Sequence, residues 1–201
     1  MMKVFILFAL VVCFASAAQL NNLVEKSEIT AFLIAEHGYP VEEHYVNTSD
    51  GYILKVYRIP SSPSSPPING KRVAFLQHGL LCSSADWVVL GKGKALAYLL
   101  ADAGYDVWLG NARGNTNSRK HQKLSPDHKD FWDFSWHEIG QIDLPAMIDF
   151  VLLNTGEKDL HYIGHSQGTT AFFVMTSLRK EMNAKIRTMH ALGKDFFFHF
   201  K

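Results

Sequence analysis

Apolar and polar positions along the chain follow two different periods, and their alternation predicts helices and strands in turn. Residues 22–37 show an amphipathic pattern that indicates a short helix. Two short runs on either side of Asp50-Gly51 predict a β-hairpin. Continuous apolar runs, which are typical of buried parallel strands, then alternate with helical patterns. The predicted strands are 43–48, 52–59, 71–77, 105–109 and a run that ends before residue 164, and the later helices are 90–103, 142–153 and one that follows residue 168. This order predicts an α/β domain with a mostly parallel sheet and flanking helices.

The first 18 residues have the pattern of a targeting segment. Lys3 precedes an apolar stretch at residues 4–14, and small residues follow at 15–18. This is the order of a secretory signal peptide, and its apolar part is too short to span a bilayer comfortably. We therefore expect a cleaved signal peptide at 1–18, a partial α/β domain at 19–192 and a divergent phenylalanine-rich tail at 193–201.

The composition limits the classes of protein to which the chain can belong, but it does not indicate a particular reaction. The 201 residues are 47% hydrophobic and 19% charged, with a net charge of +1, which favours one globular domain and gives no electrostatic case for nucleic-acid binding. Once the signal peptide is removed, Cys82 has no partner for a disulfide, and we expect a buried structural thiol. Asn47-Thr48-Ser49 is an N-glycosylation sequon beside a predicted turn, so Asn47 is the expected glycan site.

The candidate chemistry lies in Gly164-His165-Ser166-Gln167-Gly168, a G-x-S-x-G motif between a predicted strand and a predicted helix. In an α/β-hydrolase this motif is the nucleophile elbow, a strained turn that exposes the serine, and the two glycines remove a steric collision. Ser166 is then the nucleophile, while a simple glycine-flanked surface turn is the alternative. The main-chain N–H groups of Gln167 and of Leu80, after the third strand, are the expected oxyanion donors.

Three other catalytic or ligand-binding motifs are absent from the sequence. His137-Glu138 is not followed by a second histidine at the metalloprotease spacing, Gly91-Lys92-Gly93 does not complete a dinucleotide loop, and the chain contains no P-loop. The sequence therefore predicts neither a metal site nor a cofactor. We interpret His165 as a packing residue rather than as the base.

Five longer segments point to a particular family: HGYPVEEHYV (37–46), HGLLCSSADWV (78–88), LADAGYDVWLGNARGNTNSRKH (100–121), FWDFSWHEIGQIDLPAMIDFVL (131–152) and YIGHSQGTT (162–170). Together they resemble the acid lipase family, the gastric and lysosomal type, including its insect members. The resemblance implies an α/β-hydrolase that hydrolyses triacylglycerols or steryl esters at a lipid–water interface. It also implies Ser166 as nucleophile, Leu80 and Gln167 as oxyanion donors, and a secreted or lysosomal location.

The resemblance further implies that a catalytic aspartate and histidine follow residue 192, so we expect a C-terminally truncated chain that leaves the elbow strand at the sheet edge. Such a chain is expected neither to hydrolyse lipid nor to fold as a stable monomer. Two alternatives to a lipase stay open: a non-catalytic lipid-binding protein, and a carboxylesterase for small soluble esters. The sequence leaves the oligomeric state open.

Overall fold

The computed structural model of the protein describes residues 29–193. Within this range, seven strands form one sheet, and five α-helices lie between or before them. The strands are β1 Glu42–Asn47, β2 Tyr52–Ile59, β3 Val73–Gln77, β4 Asp106–Gly110, β5 Lys120–His121, β6 Leu160–His165 and β7 Ile186–Leu192. The helices are α1 Ile29–Glu36, α2 Leu96–Asp102, α3 Trp136–Glu138, α4 Leu144–Thr155 and α5 Gln167–Leu178. A π-helix, Ile139–Asp143, joins α3 to α4, and 3₁₀ turns occupy Ser84–Trp87, Lys129–Trp132 and Lys180–Lys185.

The strand order in the sheet is β1-β2-β4-β3-β6-β7, with β5 paired to β2. The four central and later strands, β4, β3, β6 and β7, are parallel, whereas β1, β2 and β5 form the antiparallel part. The predicted hairpin around Asp50-Gly51 and the predicted α/β class are both confirmed. β3, β4 and β6 run parallel to one another, so their carboxyl ends lie at the same edge of the sheet.

Two buried clusters lie on opposite faces of this sheet. Phe75 of β3 packs with α4 and α5 on one face, while its neighbours Ala74 and Leu76 pack with α1 and α2 on the other. Every residue of β3 and β4 is buried, as expected for strands covered on both faces. The result is a three-layer α/β/α arrangement, which holds the carboxyl end of β3 and the carboxyl end of β6 side by side.

Two sequence-based expectations about the fold are wrong. The helix predicted at 90–103 begins only at Leu96, because Gly91 and Gly93 both take φ of +78° and the segment before Leu96 forms turns. The elbow strand β6 is also not an edge strand. It pairs with β3 on one side and with β7 on the other, so β7 takes the outer position next to it.

Several expectations concern residues outside the described range. The signal peptide at 1–18, the first part of the helix predicted at 22–37 and the tail from residue 194 lie there. Within residues 29–193, no helix combines the length and apolar character that crossing a bilayer requires.

Candidate active site

Ser166 occupies the sharp turn between β6 and α5. Its backbone has φ of 48° and ψ of −114°, and within residues 29–193 only one other non-glycine residue, Leu81, has a positive φ. An L-amino acid in this region is strained, and such strain persists only where the surrounding structure enforces it. Here β6 fixes the chain before Ser166 and α5 fixes the chain after it. The local geometry is therefore that of the predicted elbow.

The two glycines of the motif allow two close approaches of backbone to backbone. A methyl group on Gly164 would lie 2.9 Å from the main-chain nitrogen of Thr169, so the strand and the helix could not come this close. A methyl group on Gly168 would lie 2.5 Å from the carbonyl oxygen of Gln77 and 2.8 Å from that of His78. From the motif alone, both glycines are expected to relieve crowding between β6 and α5. In the structure, Gly168 instead lies against the main chain at the end of β3.

Leu80 and Gln167 both line a cavity of about 670 Å³ beside the elbow. Gln167 is the first residue of α5, so its main-chain N–H has no acceptor within the helix. Within the described range, no hydrogen-bond acceptor is found for the N–H of Leu80 either. Ser166 is not among the residues that line the cavity, but it lies beside it: a methyl group on Gly79, a lining residue, would be 3.2 Å from the Cβ of Ser166.

The rest of the cavity wall is largely apolar. The loop after β3 contributes Leu80 and Leu81, whose side chains are 62% and 98% exposed. The segment from the 3₁₀ turn Lys129–Trp132 to α3 contributes three aromatic side chains to the same wall, namely Trp132, Phe134 and Trp136. Pockets for apolar ligands have such walls, with a few polar groups at the reacting end.

His78, at the end of β3, is fully engaged by its surroundings. Its Nε2 accepts hydrogen bonds from the main-chain N–H of Ala112 (3.1 Å) and the side-chain amide of Asn115 (3.0 Å). We therefore assign the ring proton to Nδ1, which donates to the carbonyl of Gly79 at 2.8 Å. Burial lowers the pKa of His78. The ring is thus neutral and holds the start of the loop that carries Leu80.

His121 is engaged in the same way, far along the chain from the elbow. Its Nδ1 accepts from the main-chain N–H groups of Lys123 and Leu124, which leaves Nε2–H to donate to the carbonyl of Asp50 at 2.9 Å. Neither His78 nor His121 has a free nitrogen with which to accept the proton of a serine hydroxyl.

A buried ion cluster beside the cavity was not predicted. Arg113, whose side chain is 1% exposed, contacts the carboxylates of Asp143 and Asp50 at 2.7 and 2.6 Å, and its guanidinium lies 4.1 Å from the ring centre of Tyr52. Burial raises the pKa of Asp143 to about 6 against the opposing pull of Arg113. The cluster connects the hairpin turn, the loop after β4 and the π-helix. No motif predicts it, because its members lie far apart in the sequence.

Two further residues singled out in the sequence are the expected glycan site, Asn47, and the thiol of Cys82. Asn47 is exposed at the end of β1, and Ser49 of the sequon is exposed in the turn. Cys82 is only partly buried and lines the cavity, so the expectation of a buried structural thiol is wrong. Its position in the loop after β3, rather than in the core, is what exposes it.

Comparison with known protein families agrees with this geometry. The family described as alpha/beta hydrolase fold matches residues 75–199, a stretch that begins in β3 and includes the whole elbow. The chain belongs to the α/β-hydrolase family. A second family, described as the partial alpha/beta-hydrolase lipase region, matches residues 30–91 of the chain, which include the hairpin and the loop with Leu80.

Curated relatives of this α/β-hydrolase are lipases, which confirms the resemblance predicted from the motifs. The chain is 55% identical over 176 residues to Lipase 1 of Drosophila melanogaster, an alignment that covers 87% of this chain and 38% of the relative. It is 52% identical over 162 residues to gastric triacylglycerol lipase of Mus musculus and 50% identical over 162 residues to lipase member K of Homo sapiens, covering 80% of this chain and 41% of each relative. The chain thus spans about two fifths of the length of these relatives.

Solved structures support the fold alone. An esterase of Pyrococcus furiosus superposes with a TM-score of 0.54 at 18% identity, covering 74% of this hydrolase and 50% of that chain. An epoxide hydrolase of Vigna radiata superposes with a TM-score of 0.52 at 17% identity, covering 78% of this chain and 41% of that one.

Proposed function

We propose that the protein is a secreted or lysosomal lipase that hydrolyses carboxylic ester bonds of neutral lipids, triacylglycerols or steryl esters, in lipid catabolism. In this proposal Ser166 is the nucleophile, and the main-chain N–H groups of Leu80 and Gln167 bind the oxyanion. The observation that carries it is the strained backbone of Ser166 at the carboxyl end of β6, next to two main-chain donors for which residues 29–193 supply no acceptor. The 50–55% identity to lipases supports the substrate class.

The reaction follows the general course of serine ester hydrolysis. The Oγ of Ser166 attacks the ester carbonyl carbon, its proton passes to a base, and the tetrahedral oxyanion is held by the two N–H groups. The intermediate releases the alcohol and leaves an acyl-serine, which water then hydrolyses to the fatty acid. Loss of one oxyanion donor in such a site costs roughly 3–4 kcal/mol of transition-state stabilisation.

The base and its orienting acid are the remaining parts of this proposal. His78 and His121 are engaged at both ring nitrogens, so neither serves as the base. In α/β-hydrolases the acid and the histidine follow the nucleophile in chain order. We therefore assign both to a part of the whole protein that lies after α5, and the apolar cavity wall to the acyl chain of the substrate.

The test uses the protein encoded by the longest transcript that contains these residues. Ser166→Ala should abolish hydrolysis of emulsified triacylglycerol while leaving the unfolding transition intact. Ser177→Ala is the matched control, because Ser177 is an exposed serine in α5, and it should retain full activity. Substantial turnover by Ser166→Ala would contradict the assignment.

The same preparation tests the substrate class. Activity on long-chain triacylglycerols or steryl esters that rises at the lipid–water interface supports a lipase. Activity confined to short soluble esters would instead identify a carboxylesterase.

The secretory route has its own test at Asn47. Enzymatic removal of N-glycans should change the mobility of the protein made in a secretory host, and Ser49→Ala should abolish that change. Ser49→Thr preserves the sequon and serves as the control. A protein without a glycan in both the parent and the Ser49→Thr forms would count against passage through the secretory pathway.

A second candidate function is lipid binding without catalysis. The engaged state of His78 and His121 favours it for the 201-residue chain taken alone. Expression of residues 19–201 distinguishes the two: binding of a fatty acyl ester without Ser166-dependent turnover supports the second candidate, whereas Ser166-dependent turnover by this chain would exclude it.

A further inference from the structure

Three side chains with different ligand chemistries meet beside the elbow. The Sγ of Cys82, a carboxylate oxygen of Asp86 and a ring nitrogen of His165 all lie within 4.8 Å of one another. Cys82 belongs to the loop after β3, and Asp86 follows four residues later in the 3₁₀ turn Ser84–Trp87. His165 is the last residue of β6, one position before Ser166. The cluster thus joins the two chain segments that form the candidate active site.

We propose that Cys82, Asp86 and His165 bind a divalent cation of the Zn²⁺ type, and that the bound cation inhibits hydrolysis at Ser166. Thiolate, imidazole and carboxylate are the ligands that Zn²⁺ takes in proteins, usually in tetrahedral geometry. Three protein ligands leave one position open for water, and the cluster is accessible enough to admit it. The mixed sulfur and nitrogen set disfavours Mg²⁺ and Ca²⁺, which prefer oxygen ligands.

The reason for inhibition lies in what the ligands are attached to. The main-chain N–H of Cys82 donates to the carbonyl of Gly79 at 3.3 Å, closing the tight turn that presents Leu80. His165 packs against the same turn, since a methyl group on Gly79 would lie 3.0 Å from its Nδ1. A cation that draws Cys82 and His165 together therefore fixes the spacing between the turn and the elbow. The oxyanion donors of Leu80 and Gln167 lie on these two segments, and preorganised donors stabilise an oxyanion only from the positions that they hold. A cation that pulls the turn toward His165 therefore inhibits hydrolysis by displacing the N–H of Leu80 from its metal-free position.

Metal binding at this cluster releases a proton. The cation takes the place of the proton on the Sγ of Cys82 to form a metal–thiolate bond, and the released proton passes to solvent.

The first experiment measures binding without reference to catalysis. Zn²⁺ is titrated into the purified protein by calorimetry, and Co²⁺ is used as a spectroscopic probe for a thiolate–metal charge-transfer band. We expect one Zn²⁺ per chain and a Co²⁺ band that disappears in Cys82→Ser. Cys82→Ser replaces one atom at a partly exposed position, and unchanged thermal unfolding of the metal-free variant confirms that it folds.

Controls make the binding experiment decisive. Asp86→Asn should weaken Zn²⁺ binding at least tenfold, whereas Asp127→Asn, at an exposed aspartate outside the cluster, should not change it. Mg²⁺ at the same concentration should not compete. Equal Zn²⁺ affinity in the parent and in Cys82→Ser would overturn the site.

The inhibitory role rests on the proposed function and has a separate experiment. Zn²⁺ should inhibit ester hydrolysis by the parent protein, and a chelator should restore it. The Zn²⁺ concentration that halves the rate, measured relative to the metal-free rate of the same variant, should rise at least tenfold in Asp86→Asn. Binding without inhibition would overturn the inhibitory role while the site stands. Binding by a protein that hydrolyses no ester at all would contradict the proposed function and the inhibition, and the calorimetry would still establish the site.

Discussion

Replacing Ser166 by glycine and by alanine separates the strain of the elbow from its chemistry. Both substitutions remove the hydroxyl, so neither variant should hydrolyse ester. They differ in their tolerance of the backbone conformation, since φ of 48° with ψ of −114° is strained for alanine and open to glycine. We therefore expect Ser166→Gly to be more stable than Ser166→Ala.

The size of the difference follows from two opposing contributions. A residue held in a sparsely populated backbone region costs about 1–3 kcal/mol, and glycine removes this cost. Glycine also raises the conformational entropy of the unfolded chain, which costs about 0.4–1 kcal/mol relative to alanine. The net advantage of glycine is then roughly 0.5–2 kcal/mol in the free energy of unfolding. For a domain of this size each kcal/mol corresponds to a shift of about 2–4 °C in Tm.

Urea unfolding followed by fluorescence and by circular dichroism measures this difference, provided that both variants share one m value. The matched control is the same pair at Ser177, in the last turn of α5. There the backbone is helical, so Ser177→Gly should be less stable than Ser177→Ala by about 0.5–1 kcal/mol. The order of stability should thus reverse between the two sites. The same order at both sites would refute the inference that the turn at Ser166 stores strain.

Three other substitutions test the packing and the charges around the site. Gly168→Ala should cost more than Gly38→Ala, since its methyl group would meet a main-chain carbonyl at 2.5 Å, while a methyl group on Gly38 would meet only open space, although Gly38 itself has a φ of +80°; chemical denaturation of both variants measures the difference. Arg113→Met should lower the free energy of unfolding by about 3–5 kcal/mol, because it leaves the buried carboxylate of Asp143 unpaired, and adding Asp143→Leu should recover part of that loss rather than deepen it. His78 remains neutral in the folded state and takes up a proton only on unfolding, so its contribution to stability is present above about pH 6.5 and is lost as the pH falls further. The stability advantage of the parent over His78→Asn should shrink by up to about 1.4 kcal/mol per pH unit in that range, and an advantage that is constant from pH 7 to pH 5 would contradict this.

The sequence predicts the local features of the fold well because each has a cause within a few residues. The hairpin depends on Asp50-Gly51 and on apolar alternation on both sides of it. The elbow depends on Gly164 and Gly168, whose small size is required by contacts within reach of the motif and of β3. The start of α2 is not predicted correctly because apolar periodicity continues through Gly91 and Gly93, where the backbone leaves the helical region.

Features that join distant segments have no signal in the sequence. Arg113, Asp50 and Asp143 are ordinary charged residues until the fold brings them together and buries Arg113 and Asp143. Cys82 and Asp86 meet His165 only because β3 and β6 are neighbours in the sheet. The pairing of β7 with β6 is likewise not predicted, because that pairing depends on the sheet order rather than on the run 186–192 itself.

The π-helix Ile139–Asp143 makes the fold intolerant of inserted or deleted residues between α3 and α4. Its wider turn accommodates one residue more than an α-helix would over the same distance, and it delivers Asp143 to Arg113. It also brings Gly140 so close to α5 that a methyl group there would lie 2.6 Å from the carbonyl oxygen of Ala171. Removing a single residue here would rotate everything before it by about 100° relative to α4, taking Gly140 off the face that α5 approaches. The loop segment at 66–70 is different, because each of its residues is exposed and a methyl group on Gly70 would meet no atom within 4 Å. Among descendants of this sequence, length variation should therefore accumulate in that loop and be selected against between α3 and α4.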